Sequence, residues 1–459
     1  MRHTTASPAE DGYLMHSEAT LAELAEAAIA HVAALGTSEA MVVVAENGGI
    51  TARASNGRVE KAYRDGSQSL AITVYNRHRT GRASTQALDR ASVLRTVEQA
   101  VAIAGQVQPD AEAGLADPDW VTRNPVRVPL FAPSGYDAMQ MAGDALAIES
   151  GALAAGSGER VRVVDAGASS SDNRWARATT QGFRDAGSAS IHHRWCVAIA
   201  ERDDAMVRDY WSASHRHIGE LPTSASIGAE AVLRSIPRLG AEGLVTQKSP
   251  VVLDARIASG LLGELCNALS GGAQYQGQTF LPDPVGQQVM AAHLTLSENP
   301  FEPFGLASAG SDSEGVAGSA RDVVQHGVVE GMFLDSLAAR KMNLRSTGNA
   351  DGPTNLTLKS NLAEPEEDLA ALWRKMGRGL WLTEFIGGGV NPITGAYSKA
   401  ASGFWIENGQ VSHPVHDFTV AGDLKRMLRG IVAVGCDVHR EGRFRTGSIL
   451  IDEMQVAGR

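Results

Sequence analysis

Three cysteines in 459 residues, Cys196, Cys266 and Cys436, are too few, too scattered and odd in number for a disulfide framework. Disulfide-stapled secreted scaffolds are excluded, and a reducing compartment fits better. No run of about 18 uninterrupted apolar residues occurs, so no segment reads as a membrane span. A Lys/Arg-rich run is missing too. With 41 Lys plus Arg against 52 Asp plus Glu, the formal net charge of -11 has the wrong sign for a direct nucleic-acid binder. Met1 to Ser17 carries Arg2, His3, Glu10 and Asp11 without an apolar core, which is not a secretory signal. The expectation is a cytoplasmic protein.

Catalytic signatures are equally sparse. His-Glu is absent from the chain, and with it any helical His-Glu zinc motif, which needs two imidazoles and a carboxylate base on one helix. Neither Gly-x-Ser-x-Gly, nor Gly-x-Gly-x-x-Gly, nor a phosphate-binding Gly-Lys-Ser/Thr loop occurs. The close histidine sets are His192-His193, His215-x-His217 and His413-x-x-His416. In a strand, His192 and His193 point to opposite faces and make poor joint ligands. Cys436-x-x-His439 has the spacing of half a zinc site, with no second half apparent. Cys266 falls in an apolar helical run and fits a buried small hydrophobe. Asp312-Ser313-Glu314-Gly315 offers two carboxylates at a turn, a pattern that suits a solvated acidic turn better than a cation site.

What is present describes a folded protein. Hydrophobic residues make up 43% and charged residues 20%, and the length suggests two or three domains at roughly 150 residues each. Leu21, Leu24, Ala25, Ala28 and Val32 mark a helix after Ser17, and Asp89 caps another to Gln106. Short strands are expected at 41–46, 51–54, 58–63 and 69–75, with turns at Asn47-Gly48-Gly49 and Asn56-Gly57. A proline-rich connection over 108–133 leads to a helix over 136–153, then a meander of strands at 160–169, 175–184, 188–200 and 205–214. A helix over 226–238 precedes a strand at 248–253. No convincing repeat of 20 to 50 residues stands out in the sequence alone. The second half is rich in glycine between short apolar runs, including Gly387-Gly388-Gly389, with helices expected at 365–376 and 421–432 and a hairpin at Asn408-Gly409. The fold class is α+β: residues 1–240 form an N-terminal domain with mainly antiparallel strands, and 241–459 a β-rich C-terminal domain with a few helices.

One stretch is more specific. Gly389-Val390-Asn391-Pro392-Ile393-Thr394-Gly395, followed by Tyr397 to Gly409, resembles the signature of the TldD/PmbA family, once called modulators of DNA gyrase. Pro414-Val415, Thr419 to Leu424 and Ile431 to Gly435 continue the pattern in order, and Asp312 to Gly315 and Ser346 to Asn349 match further landmarks. The family has a TldD branch with a His-Glu-x-x-x-His zinc motif and a PmbA (TldE) branch without it. This chain is similar to the second, because the helix expected after Leu253 reads Arg256 to Leu265 without histidine.

The resemblance implies a non-catalytic subunit of a heteromeric metallopeptidase, with zinc held by a TldD-like partner and no cofactor on this chain. It implies an unfolded peptide as substrate, no membrane partner, and a homodimer when the partner is missing. Gly387, Gly388, Gly389 and Asn391 are the candidate substrate-binding residues, through main-chain hydrogen bonds to an extended peptide. Two alternatives stay open. One is a stand-alone hydrolase built on Cys436, His439 and a carboxylate; the other is a regulatory binding protein without proteolysis.

Overall fold

The computed structural model describes residues 12–37, 39–362 and 367–458. Met1 to Asp11, most of the stretch read above as lacking a signal, lie outside them, as do Pro365 and Glu366 at the start of one expected helix.

Helix α1 (Glu18–Ala34) starts where Ser17 accepts the Thr20 N–H, which satisfies one of the free donors of the first turn. It leads into a long antiparallel sheet built from β1 (Glu39–Ser55), β2 (Arg58–Asn76), β3 (Arg79–Thr85), β4 (Arg160–Thr179), β5 (Arg184–Arg202) and β6 (Ala205–His215), in the order β3-β2-β1-β4-β5-β6. Helix α2 (Arg90–Gln106) follows β3, α3 (Ala138–Ala154) precedes β4, and α4 (Ser224–Ser235) follows β6. Strand alternation puts Val42, Val44, Leu70, Ile72 and Val74 on one face, where they pack on α1 and α2. Farther along that face, Ile50, Ala52, Ala166, Ala168 and Ala198 pack on α3 and α4. Between the two apolar patches runs a buried polar belt of Glu46, Ser170, Asp172, Arg174, Ser190 and His192. The segments around Tyr13 and Ser134 cross it: the Tyr13 N–H reaches Asp172 at 3.1 Å, and the Ser134 hydroxyl reaches Ser170 at 2.8 Å. The opposite face carries Thr51, Ser169, Ser171, Asn173, Trp175 and Trp195, all half-buried and outside the apolar core clusters.

The expected short strands are longer in the molecule. Asn47-Gly48-Gly49 is not a turn, and β1 runs straight through it. Glycine is needed at 48 because a Cβ there would sit 2.3 Å from the Tyr13 carbonyl oxygen, where the N-terminal segment crosses the sheet. The strands at 160–169 and 175–184 likewise merge into β4, with the turn displaced to 180–183.

Register also exposes a repeat that the linear sequence hides. Asp165-Ala166-Gly167 and Arg174-Trp175 recur at a 20-residue offset as Asp185-Ala186-Gly187 and Arg194-Trp195. Ser171 pairs with Ile191, its own equivalent, so β4 and β5 are related by a local two-fold axis through that pair. Gly167 then faces Trp195, and Gly187 faces Trp175. A Cβ on Gly167 would lie 2.2 Å from the Trp195 ring and one on Gly187 2.7 Å from the Trp175 ring, so each indole lies across a glycine.

The second half begins with β7 (Gln247–Leu253), α5 (Ala255–Ala268) and α6 (Gly271–Tyr275), then β8 (Leu294–Asn299), β9 (Arg321–Gln325), β10 (Val328–Val329), α7 (Ser336–Lys341) and β11 (Asn355–Ser360). It continues with α8 (Leu369–Met376), β12 (Gly379–Val390), β13 (Ala396–Glu407), β14 (Gln410–Asp423), α9 (Leu424–Arg429), β15 (Ile431–Val434), β16 (His439–Glu441), β17 (Phe444–Thr446) and β18 (Ile449–Ala457). Strands pair in the order β14-β13-β12-β7-β18-β15, and an extra β14–β18 pairing closes five of them into a ring. A third sheet runs β10-β9-β8-β11-β17-β16. Leu261, Leu262 and Leu265 of α5 lie in the core cluster shared by both sheets. The hairpin at Asn408-Gly409 forms as expected, with φ of 54° and 73° at its two central residues. The helix expected over 421–432 shrinks to α9, because its two ends are drawn into β14 and β15 by pairing with β18.

Candidate functional site

Helix α5 occupies the place where the resemblance expects a zinc motif in the other branch. Asp254 caps it, and Ala255, Ala258, Leu261, Leu262, Leu265 and Cys266 form its buried side. The Cys436 loop is tied to the start of this helix. Asp437 accepts the Ser448 N–H at 2.9 Å and its hydroxyl at 2.6 Å, and Ser448 in turn accepts the Ala255 N–H at 3.0 Å. Cys436 is exposed, with its N–H donated to the Glu367 carbonyl, and His439 packs edge-on to Trp211 with ring centroids 5.4 Å apart. Among the described residues no group of three or more His, Cys, Asp or Glu side chains converges to hold a metal ion. The donors on this helix and loop do not fit a zinc site. Burial pushes the Cys196 and Cys266 thiols up to about 12, so neither is a ready nucleophile at neutral pH.

The histidine sets disperse. His192 is fully buried between the Ser170 hydroxyl at 2.8 Å and the Ala132 carbonyl at 2.9 Å, while His193 points to the other face and stacks on Trp195. His215 and His217 are bound into their own turn, with the His217 N–H donated to His215 Nδ1 at 3.0 Å. Asp312 is buried rather than solvated; its carboxylate accepts N–H groups from Glu314, Val316 and Ala350 at 2.9 to 3.0 Å and clamps its loop.

Gly387, Gly388 and Gly389 lie at the exposed end of β12, opposite Ala400, Lys399 and Ser398 of β13. On its other side β12 pairs with β7 only from Leu380 to Leu382. From Glu384 to Val390 that edge has no strand partner among the described residues. Asn391 holds the following turn, since its side-chain oxygen accepts the N–H groups of Ile393 and Thr394 at 3.0 and 3.1 Å. Beside the open edge lies a groove of about 370 Å³ lined by Met206 and Arg208 of β6 and by Ile386, Ser402 and Val415.

Arg238 and Ser402 of the groove's lining belong to an ionic cluster that joins the two halves of the chain. Asp209, with a side chain 0% exposed, lies between Arg238 at 2.9 Å and Arg256 at 3.0 Å. Arg238 continues to Glu384 at 2.5 Å and the Ser402 hydroxyl at 2.6 Å. Burial alone would raise the Asp209 pKa, but the Arg256 and Arg238 guanidiniums outweigh it and hold the carboxyl below its ordinary value. Arg238 and the Ser402 it bonds are 164 positions apart in the chain, so no local sequence signal marks the cluster.

Comparison with known proteins places this geometry. Residues 246–458 match the PmbA/TldA metallopeptidase C-terminal domain, and residues 40–104 match PmbA/TldA metallopeptidase domain 1. "Metalloprotease PmbA" of Escherichia coli O157:H7 is 36% identical over 91% of this chain and 92% of its own length. The "Metalloprotease PmbA homolog" of Haemophilus influenzae is 33% identical over 92% of each. Among solved structures, TldE from Thermococcus kodakarensis superposes with a TM-score of 0.82 at 18% identity, covering 96% of this chain and 100% of that one. A putative modulator of DNA gyrase from Bacteroides thetaiotaomicron reaches 0.87 at 23% identity, covering 95% and 98%. With a relative above 30% identity matched over nearly its whole length and both family domains in place, the chain belongs to the PmbA/TldD metallopeptidase family.

Proposed function

We propose that this chain is the non-catalytic, PmbA/TldE-like subunit of a heteromeric zinc metallopeptidase that trims or degrades unfolded peptides in the cytoplasm. The observation that carries the reading is the pairing of two features in one half of the molecule. The helix that would bear the zinc ligands has none, while β12 keeps an open edge from Glu384 to Val390 beside a groove. The partner would be a TldD-like subunit, whose zinc supplies the activated water. This chain's part is to shape the cavity and hold the peptide. An extended peptide laid along Gly387 to Gly389 would bond through its main chain, with little demand on its side chains, and that suits a substrate defined by being unfolded. Exposed Ile386 and Met206 offer apolar contact on either side of the groove. The half-buried small polar face of the long sheet suits a cavity wall, and the net charge of -11 favours no direct nucleic-acid partner. Without its partner, the chain would pair with a second copy through the same docking surface.

The test is cleavage of an unstructured peptide by this chain alone, by a TldD-type subunit of the same organism alone, and by the mixture, with zinc measured on each. Cleavage by the mixture only, with zinc following the partner, supports the reading. Chelator-sensitive cleavage by this chain alone overturns it and returns attention to Cys436 and His439.

A further inference from the structure

A cleft larger than the groove just described lies away from it. It encloses about 900 Å³ between the outer edge of β5, the proline-rich connection at Val126 to Phe131, and the loop at Ser308 to Ser311. Strand β6 pairs with β5 no farther than His192, so from Ser190 back to Arg184 the outer edge of β5 has no strand partner among the described residues. The direction of the backbone groups along this edge follows from Ser190. It donates its N–H to the Leu130 carbonyl at 2.9 Å and receives Arg216 on its own carbonyl at 3.2 Å. Even-numbered residues therefore point outward into the cleft. The Ala186 carbonyl is capped by Arg127. Ser188 stands between these two positions, about 7 Å from each along the strand. Its hydroxyl is engaged by Glu18 and Arg174, but no hydrogen bond to its N–H or its carbonyl is found among the described residues.

The two flanking guanidiniums are notable for what they lack. Arg216 is half-buried and donates to the carbonyls of Gly305, Leu306 and Ser190, with no carboxylate within 4.0 Å among the described residues, and burial lowers its pKa. Arg127 is exposed and has no carboxylate partner among the described residues. The carboxylates that line the cleft accept hydrogen bonds from within the chain. Asp185 holds Arg177 at 2.5 Å, Glu18 takes the Ser188 hydroxyl at 3.0 Å, and Asp351 takes the Ser313 N–H at 2.8 Å. Four arginines, Arg127, Arg174, Arg177 and Arg216, against three carboxylates leave the lining positive by one charge, and Arg127 and Arg216 bracket an N–H and a carbonyl that have no hydrogen-bond partner among the described residues.

We propose that this cleft binds the terminal carboxylate of an extended peptide, with Ser188 pairing to the last peptide unit and Arg127 and Arg216 holding the charge. The proposal rests on the reading above that the substrate is a peptide, and adds a second contact region specific for its C-terminal end. A carboxylate offers two oxygens to planar guanidiniums, and charge-assisted bonds of this kind are the stronger class. The free Ser188 carbonyl selects among anions, because a peptide end supplies an N–H for it and a phosphate does not.

The experiment is fluorescence anisotropy with an unstructured, N-terminally labelled octapeptide, as the free acid and as the C-terminal amide. The wild-type chain is compared with Arg127→Gln and Arg216→Gln, with acetate as a competitor. The free acid should bind at least about tenfold tighter than the amide. Both variants should bring that ratio close to one and leave amide binding unchanged. Arg127 is exposed, so its variant keeps the test valid even if Arg216→Gln fails to fold. Equal binding of acid and amide to the wild type, no binding of either, or a preference that survives Arg127→Gln would overturn the proposal. Displacement of the peptide by acetate as effectively as by unlabelled peptide would show a site for small organic acids, which overturns the peptide assignment. A wild-type chain that supports cleavage with its partner yet binds acid and amide equally refutes only this inference, whereas a mixture that never cleaves refutes the parent reading.

Discussion

Replacing Asp209 by Asn removes one negative charge from the centre of the cluster that joins the long sheet to the closed β ring. The Asp209 side chain is 0% exposed, and those of Arg238 and Arg256 are 9% and 5% exposed. After the change Arg238 keeps Glu384, whereas Arg256 has no carboxylate within 4.0 Å among the described residues and retains the Tyr210 and Thr383 carbonyls and the more distant charge of Asp254. Breaking a buried pair from one side leaves an uncompensated charge, at a cost of about 3 to 5 kcal/mol. For a unit of this size that corresponds to a fall in melting temperature of roughly 6 to 20 °C. Glu384→Gln removes a carboxylate that is 24% exposed and should cost much less. The assay is thermal unfolding of both variants, with limited proteolysis across residues 239–246 to report separation of the halves. The pH dependence adds a constraint. The folded pKa of Asp209 lies below the ordinary 3.8, so its contribution is complete above that value and is lost as pH falls through the folded pKa. The wild-type advantage over Asp209→Asn should therefore be constant from pH 8 to pH 5 and shrink only in stronger acid. A loss no larger than that of Glu384→Gln would refute the assignment of the joint to this cluster.

Four further outcomes follow from single residues. Burial pushes the Glu314 carboxyl up to about 7 from an ordinary 4.5, with Asp312 and Asp335 adding repulsion against the opposing Ser336 hydrogen bond. The folded state thus favours the protonated acid and is penalised as pH rises from 4.5 through 7, so Glu314→Gln should stabilise by up to about 3 kcal/mol at pH 8 and change little at pH 4, as read by melting at both values. Gly167→Val drives a side chain into the Trp195 ring and should cost about 1 to 3 kcal/mol with a change in near-UV dichroism, whereas Gly143→Ala, on an exposed turn of α3 with open space around it, should stabilise by about 0.5 to 1 kcal/mol. Cys436→Ser should leave both the zinc content of this chain and the activity of the mixed subunits unchanged, measured by metal analysis and peptide cleavage; a loss of either would revive a metal site at that loop.

The parts of the fold set by short-range rules were legible in the sequence. Ser17 and Asp89 cap the helices that follow them, and Leu70, Ile72 and Val74 alternate into the core. Asn408-Gly409 makes its hairpin because both positions tolerate positive φ. Reading failed where a residue answers to a distant neighbour. Gly48 looks like punctuation and is a clearance for Tyr13, and Gly167 and Gly187 yield to tryptophans that only cross-strand register brings near.

The same limit explains why the site was only half visible. The missing zinc ligands on α5 are a local fact, and Gly387 to Gly389 are a visible run. What makes that run an edge is that β7 stops pairing at Leu382, which depends on where α5 turns away after Leu253. The β5 cleft is more distant still, because Arg127 lies in a connection that composition marks as mere linker, and Arg216 just past the end of a strand. Both edges exist for one reason: β6 and β7 are shorter than the partners they pair with, and each leaves several residues of an adjoining strand uncovered. Native proteins normally blunt such edges with charge or a bulge. Here the β12 edge is lined by three glycines and the β5 edge is flanked by Arg127 and Arg216, which have no carboxylate partner among the described residues, so on the two proposals above each edge would accept a main chain and the second a negative one.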